Sequence, residues 1–146
     1  MAARPTPPAR DDYRVFRPIL TRWSDNDAYG HVNNVRYYSF FDTIVNGHLI
    51  ESDVLRVPEG TVIGLVVETK CSFFSQTAFP EPLTGGLRVD RIGTSSVQYG
   101  IAIFRDGEVR ASAAGHFIHV YVNRDTHLPG PLPADLRAEL ERLLVT

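Results

Sequence analysis

A chain of 146 residues and 16.3 kDa has room for one domain, at roughly 100 to 200 residues per domain, which excludes two independent catalytic units. At this length a compact fold buries about 68 to 70% of the surface that the unfolded chain exposes, so a core forms without disulfides or metal. Hydrophobic residues at 43% and charged residues at 22% exclude wholesale disorder, and a net charge of -2 with a pI near 6.2 supplies no general field for nucleic acid or an anionic membrane.

The single cysteine, Cys71, has no internal partner, and the opening MAARPTPPARDDYR lacks a basic start followed by an apolar stretch. Both features point to the reducing cytoplasm. No run of about 18 apolar residues occurs, so no membrane span is expected. Pro5, Pro7 and Pro8 in an Ala/Arg/Thr setting predict a frayed tail over residues 1–11 and a single domain over 12–146.

Tyr13 to Trp23 reads as extended, with Pro18 at an edge or a bulge because it donates nothing to a ladder. Residues 24–34, SDNDAYGHVNN, are dense in Asp, Asn and Gly and predict a loop followed by a helix start capped by Asn33 or Asn34. The helix is expected from about Asn34 to Ile50. Tyr37, Tyr38, Phe40, Phe41, Ile44, Val45 and Leu49 cover a wide apolar arc of it, and so broad an arc needs a wrapping partner. Asp42 lies at the shoulder of that arc, reaching solvent or capping a neighbour.

From Thr61 four β-rich segments follow: TVIGLVVETKCSFF, LTGGLRVDRI, SVQYGIAIF and VRASAAGHFIHVYV. The third and fourth join through Arg105-Asp106-Gly107-Glu108, whose Asp-Gly pair predicts a type I′ turn and antiparallel neighbours. After Pro129, Pro131 and Pro133 comes a short helix from about Ala134 to Leu144, with Leu136, Leu140 and Leu143 on one stripe. The order is strand, long helix, four strands, short helix. One antiparallel sheet curling around one helix buries that arc most economically, which is the α+β class. Its open edges and outward apolar positions predict an oligomer.

The densest polar cluster is Asp25, Asp27, His31, Asn33 and Asn34, at the mouth of the most buried helix. A carboxylate beside a helix N-terminus, whose unpaired amides carry partial positive charge, can attack and polarise a carbonyl. Asp27 can serve as base or nucleophile there. On spacing alone, Asp and Asn before a helix are commonest as turn and cap residues.

Residues 21–42, TRWSDNDAYGHVNNVRYYSFFD, resemble the start of the hotdog-fold acyl-CoA thioesterases of the 4-hydroxybenzoyl-CoA thioesterase type, in the branch with D-x-x-x-H-V-N-N-x-R-Y. Asp27, His31, Val32, Asn33, Asn34, Arg36 and Tyr37 fill that pattern, and the element order extends the resemblance through Ile92–Ser96 to about Val122. The resemblance implies a sheet wrapped around one long helix and hydrolysis of an acyl-CoA to a free acid and coenzyme A. It implies that Asp27 is the catalytic carboxylate and that the Asn34 backbone amide holds the thioester carbonyl. His31 and Asn33 match positions that shape the substrate-binding loop, and neither is expected to be the base. Aryl-CoA members carry other residues in place of H-V-N-N, so the likeness leans toward fatty acyl groups. Family dimers face this site with the strand after the partner's helix, here around Val66, Val67 and Glu68. A homodimer or homotetramer with no cofactor and no metal is thus expected, acting on acyl-CoA or on acyl carrier protein, which presents the same thioester, with no nucleic-acid or membrane partner.

Other candidates are weaker. Cys71 sits mid-strand without a base and reads as a small buried hydrophobe. His116 and His119 point to opposite faces of one strand, which argues against a shared metal. Gly85-Gly86 lacks the Lys-Ser/Thr of a phosphate loop. Arg88 and Arg91 suit coenzyme A phosphates no better than any surface arginine. Tyr37 to Phe41, Phe73 and Phe74 suit an acyl tunnel, though core packing explains most of them first. Two rival functions stand beside hydrolysis. One is a hotdog hydratase or dehydratase, whose G-D-x-N-P-x-H-like motif is absent here, and the other is a non-catalytic acyl-binding dimer.

Overall fold

The computed structural model describes residues 5–57 and 59–145. The main elements are β1 (Val15–Ile19), α1 (Asn34–Glu51), β2 (Val62–Phe73), β3 (Leu83–Ile92), β4 (Ser96–Arg105), β5 (Ala113–Asn123) and α2 (Ala134–Leu143). All strand pairs are antiparallel and form one five-stranded sheet in the order β1-β3-β4-β5-β2. The two edges are therefore β1 and β2. Pro18 sits in β1 opposite Thr84, on an edge strand, where proline is tolerated. No helix among the described residues is long and apolar enough to cross a membrane.

The sheet wraps α1, the hotdog arrangement. Tyr37, Phe40, Phe41, Ile44, Val45 and Leu49 are buried along the helix and pack on the inward residues of β4 and β5, Val97, Tyr99, Ile101, Ile103, Phe117 and Tyr121. Phe41 meets Phe117 edge to face at 5.5 Å, the arrangement that aromatic quadrupoles favour. The stripe Leu136, Leu140 and Leu143 of α2 closes the same core, and Asp42 stays exposed on the helix shoulder. Partial desolvation raises the Asp42 carboxyl above its ordinary value.

Two expectations are corrected. The β4–β5 turn is not type I′, because of its central pair only Gly107 has positive φ, +76°. Glu108 N–H donates to the Arg105 carbonyl at 3.1 Å, a single tight turn at the start of the 106–112 connection, and the pair of the β4–β5 ladder nearest to it is Ile103 opposite Ala113. The segment expected to fray, residues 1–11, is docked where it is described. Arg10 N–H donates to the Val109 carbonyl at 3.1 Å and Ala111 N–H to the Pro8 carbonyl at 2.9 Å, so the β4–β5 connection holds the leading segment by main-chain bonds. Tyr13 then packs on Phe104, Ala102 and Ala111 on the outer face of the sheet. Residues 1–4 lie outside the described residues.

His119 is an anomaly in the core. It is 2% exposed, ringed by Tyr99, Phe117 and Tyr121, and neither ring nitrogen has a hydrogen-bond partner among the described residues. Tyr99 and Tyr121 satisfy each other through a 2.6 Å hydroxyl pair and leave it out. Burial pushes the imidazole down from 6.5 to about 4. The unfolded chain binds that proton near pH 6.5, whereas the folded chain resists it until about pH 4. This group's contribution is therefore whole above pH 6.5 and is lost as the pH falls toward 4, a loss of roughly 3 kcal/mol at about 1.4 kcal/mol per unit. Urea denaturation at pH 7 and pH 4.5 should show His119→Leu losing less stability on acidification than the wild type. Equal losses in the two proteins would contradict this assignment.

Candidate active site

The D-x-x-x-H segment folds into a tight turn for local reasons. Asp27 N–H donates to the His31 carbonyl at 2.9 Å and Gly30 N–H to the Asp27 carbonyl at 3.0 Å. Gly30 has φ +81°, a conformation that glycine adopts without Cβ strain. One carboxylate oxygen of Asp27, Oδ1, accepts from Tyr29 N–H at 2.9 Å, the side-chain-to-backbone turn typical of Asp. The other, Oδ2, accepts from Asn33 Nδ2 at 3.3 Å. The turn role of Asp27 thus uses one oxygen, and Asp27 still lines a cavity.

Asn33 caps α1: its φ and ψ are -64° and 143°, and its Oδ1 accepts from Val35 N–H at 3.0 Å. Arg36 N–H donates to the Asn33 carbonyl at 2.9 Å. Asn34 is the first helical residue, and among the described residues no acceptor is bonded to its N–H. Asn34, which carries this orphan donor at the positive end of an 18-residue helix, thus lines the cavity together with Asp27.

Asp25 plays a different part. It is fully buried, its Oδ2 accepts from Arg22 N–H at 2.7 Å and its Oδ1 from Arg22 Nη2 at 2.9 Å, and Arg36 Nε stands 3.7 Å away. Its charge is consumed in holding the loop. Of the two acids in S-D-N-D, the half-buried Asp27 is the one left facing the cavity.

The cavity, of about 600 Å³, is lined on one side by Asp27, Tyr29, His31, Asn33 and Asn34, and on the other by Tyr37 and the run Phe73 to Gln76 at the end of β2. That run and the residues after it brace the loop: Val32 N–H donates to the Thr77 carbonyl at 2.8 Å and Phe79 N–H to Asn26 Oδ1 at 3.0 Å. The Tyr37 hydroxyl pairs with Thr77 Oγ1 at 2.6 Å, and burial raises its pKa above the ordinary value. Tyr37 also meets Phe73 edge to face at 5.0 Å. Ser75, Gln76 and Thr77 were missed from sequence, since a Ser/Gln/Thr stretch before Pro80 reads only as a loop.

Asp27, His31, Asn33 and Asn34 are thus brought together. Val66, Val67 and Glu68 are not, for they lie on the outer edge strand β2, away from the cavity lining of their own chain. Glu68 Oε2 is 2.8 Å from His116 Nε2 on the outer face, while His119 is in the core. Burial pushes the Cys71 thiol up to about 12, the wrong direction for a nucleophile. Arg88 is held by Asp90 at 2.8 Å.

No curated protein matches the chain. Among solved structures it is similar to the PA5185 protein from Pseudomonas aeruginosa strain PAO1, with 51% identity over 97% of this chain and 99% of that one and a TM-score of 0.94. Slr0204, a 1,4-dihydroxy-2-naphthoyl-CoA thioesterase from Synechocystis, shares the fold at 15% identity, over 86% of this chain and 93% of that one, with a TM-score of 0.77. BH1999, a gentisyl-coenzyme A thioesterase, does so at 20% identity, over 86% and 99%, with a TM-score of 0.76. The family model for the thioesterase-like superfamily matches residues 21–140, and the chain belongs to that superfamily.

Proposed function

We propose that the protein hydrolyses an acyl thioester, an acyl-CoA with a fatty acyl group, to the free acid and the thiol. The observation that carries this reading is that Asp27 and Asn34, whose N–H has no acceptor among the described residues, line one cavity together with Tyr37, Phe73 and Phe74. The thioester carbonyl oxygen binds the Asn34 amide at the positive end of α1. Asp27 either takes a proton from an attacking water or attacks the carbonyl carbon itself. The oxyanion of the tetrahedral intermediate gathers charge where the amide and the helix dipole stabilise it. On the water route collapse breaks the C–S bond to give the free acid, and the thiolate takes the proton that Asp27 removed from water. On the direct route collapse leaves an acyl–Asp27 anhydride and the thiolate. Water then cleaves the anhydride, which restores the carboxylate, releases the acid and supplies the proton that the thiolate takes.

One chain lines the cavity with the 27–34 loop, Tyr37 and the end of β2, and a second copy of the chain supplies a further wall in this reading. Edge strand β2 runs 12 residues, pairs among the described residues only with β5, and exposes Leu65, Val66 and Val67 at 40, 46 and 60%. Such an apolar edge is a template for another strand. A bulge between Val66 and Glu68 re-aims side chains at the position the family resemblance gives to the partner's wall. Light scattering at micromolar concentration should report a dimer or a tetramer, and a 16.3 kDa particle would contradict it.

The test of the activity is thiol release across a panel of acyl-CoAs of increasing chain length, with aryl-CoAs and acyl carrier protein thioesters included. Two of the neighbours named above are aryl-CoA thioesterases, so the aryl arm decides between acid classes. Release with at least one fatty acyl-CoA supports the proposal. Tight acyl binding without release from any substrate favours a binding module and overturns it.

A further inference from the structure

We infer that Asn33 is the positioning residue for the Asp27 carboxylate: one atom of its amide caps α1 while the other orients Asp27, so that Asn33 sets the rate without touching substrate. This rests on the thioesterase function proposed above.

Helix capping alone does not require asparagine, since Asn, Asp and Ser serve that position about equally. A second demand is visible here. Asn33 Oδ1 accepts from Val35 N–H at 3.0 Å, which fixes the amide so that Nδ2, a donor only, faces Asp27 Oδ2 at 3.3 Å. Aspartate at position 33 would offer a second anionic oxygen to Asp27. Serine would cap, but its hydroxyl is too short to reach both partners. The amide is the group that accepts from the helix and donates to the carboxylate at these spans.

The donor's own place is fixed. Asn33 N–H donates to the Asp25 carbonyl at 2.9 Å, and Asp25 is buried and tied to Arg22. The Asp27 carboxylate is therefore held between Tyr29 N–H on Oδ1 and Asn33 Nδ2 on Oδ2. Removing either donor leaves a single pivot. A 3.3 Å bond is long for this pairing, and catalytic bonds of that kind shorten once substrate excludes water. The other titratable groups facing the cavity are Tyr29 and His31 from the loop and Tyr37 from α1, and the wall from Phe73 to Gln76 brings no charge.

The test compares the full-length wild type with Asn33→Ser and Asn33→Asp, both of which retain a cap and should melt within a few degrees of it. Thiol release by Asn33→Ser should show kcat lowered on the order of tenfold with KM nearly unchanged, since the carboxylate and not the binding surface is disturbed. In Asn33→Asp the acid limb of kcat/KM should move upward by roughly one pH unit, because two carboxylates then face each other. Wild-type kcat and an unmoved limb in both variants would overturn the inference and leave Asn33 a helix cap. A raised KM with unchanged kcat would overturn it too, in favour of direct substrate contact. A crystal structure of Asn33→Ser separates this from the activity itself. The Asp27 carboxylate should rotate off its present position, and a carboxylate that stays put overturns the positioning role even if no thioester is ever cleaved.

Discussion

Asp27→Asn should lower thioester hydrolysis on the order of 100-fold or more while leaving the fold intact. The asparagine oxygen can still accept from Tyr29 N–H, so the turn from Asp27 to His31 keeps its bond. The main-chain bonds that close the turn, Asp27 to His31 and Gly30 to Asp27, do not involve the side chain. The amide cannot take a proton from water or form an acyl intermediate, so the loss is that of a general base or nucleophile. Thiol release measured beside circular dichroism checks both halves of the expectation. Most of the activity surviving in a folded variant would remove Asp27 from the mechanism. Single turnover of the wild type in heavy-oxygen water separates the two routes, because label enters the Asp27 carboxylate only if that carboxylate attacks.

Asn34→Pro should cost about 2.7 to 4 kcal/mol of barrier, the scale of one oxyanion donor, whereas Asn34→Ala should stay within roughly tenfold of wild type. Proline deletes the N–H, and alanine deletes only the side chain. The geometry makes proline a fair test. Asn34 is the first residue of α1, where proline is tolerated because its N–H has no intrahelical partner. The residue before a proline must be extended, and Asn33 already is, at φ -64° and ψ 143°. The Asn33 cap to Val35 N–H and its donor to Asp27 lie outside the altered residue. If Asn34→Ala is as damaging as Asn34→Pro, the side chain is what matters and the helix amide is not the carbonyl's partner.

What the sequence revealed and what it hid divide along physical lines. The helix expected from Asn34 to Ile50 runs from Asn34 to Glu51, because the Asn33 cap and the 3.6-residue repeat of buried Tyr37, Phe41, Ile44 and Val45 are local signals. The four later strands and the leucine stripe of α2 were visible for the same reason. The docking of residues 8–12 was not visible, since it depends on carbonyls and amides some 100 positions away along the chain. Nor was the turn type at Asp106-Gly107. That pair is compatible with more than one turn, and the connection that follows it is bonded to the distant leading segment.

At the site, the clustering of Asp27, His31, Asn33 and Asn34 was legible because all four lie within eight consecutive residues. Which carboxylate does what was not. Asp25 and Asp27 are two apart in a polar run, and only their burial separates the structural acid, fully enclosed with Arg22, from the one facing the cavity. The double duty of Asn33 was hidden as well, because an N-cap signal says nothing of what the other half of the amide touches. The far wall comes from the end of β2, and no local pattern in Phe73 to Gln76 ties it to a motif some 40 residues earlier.

The most direct measurement is the structure of Asp27→Asn with an intact acyl-CoA bound. The thioester oxygen should lie about 2.7 to 3.1 Å from the Asn34 backbone nitrogen. The thioester carbon should lie about 3 to 3.5 Å from the side chain at position 27, or be linked to it through one water. An acyl-CoA whose thioester sits outside the cavity, or whose carbonyl oxygen is bound by a side chain with the Asn34 N–H turned away, would contradict the mechanism.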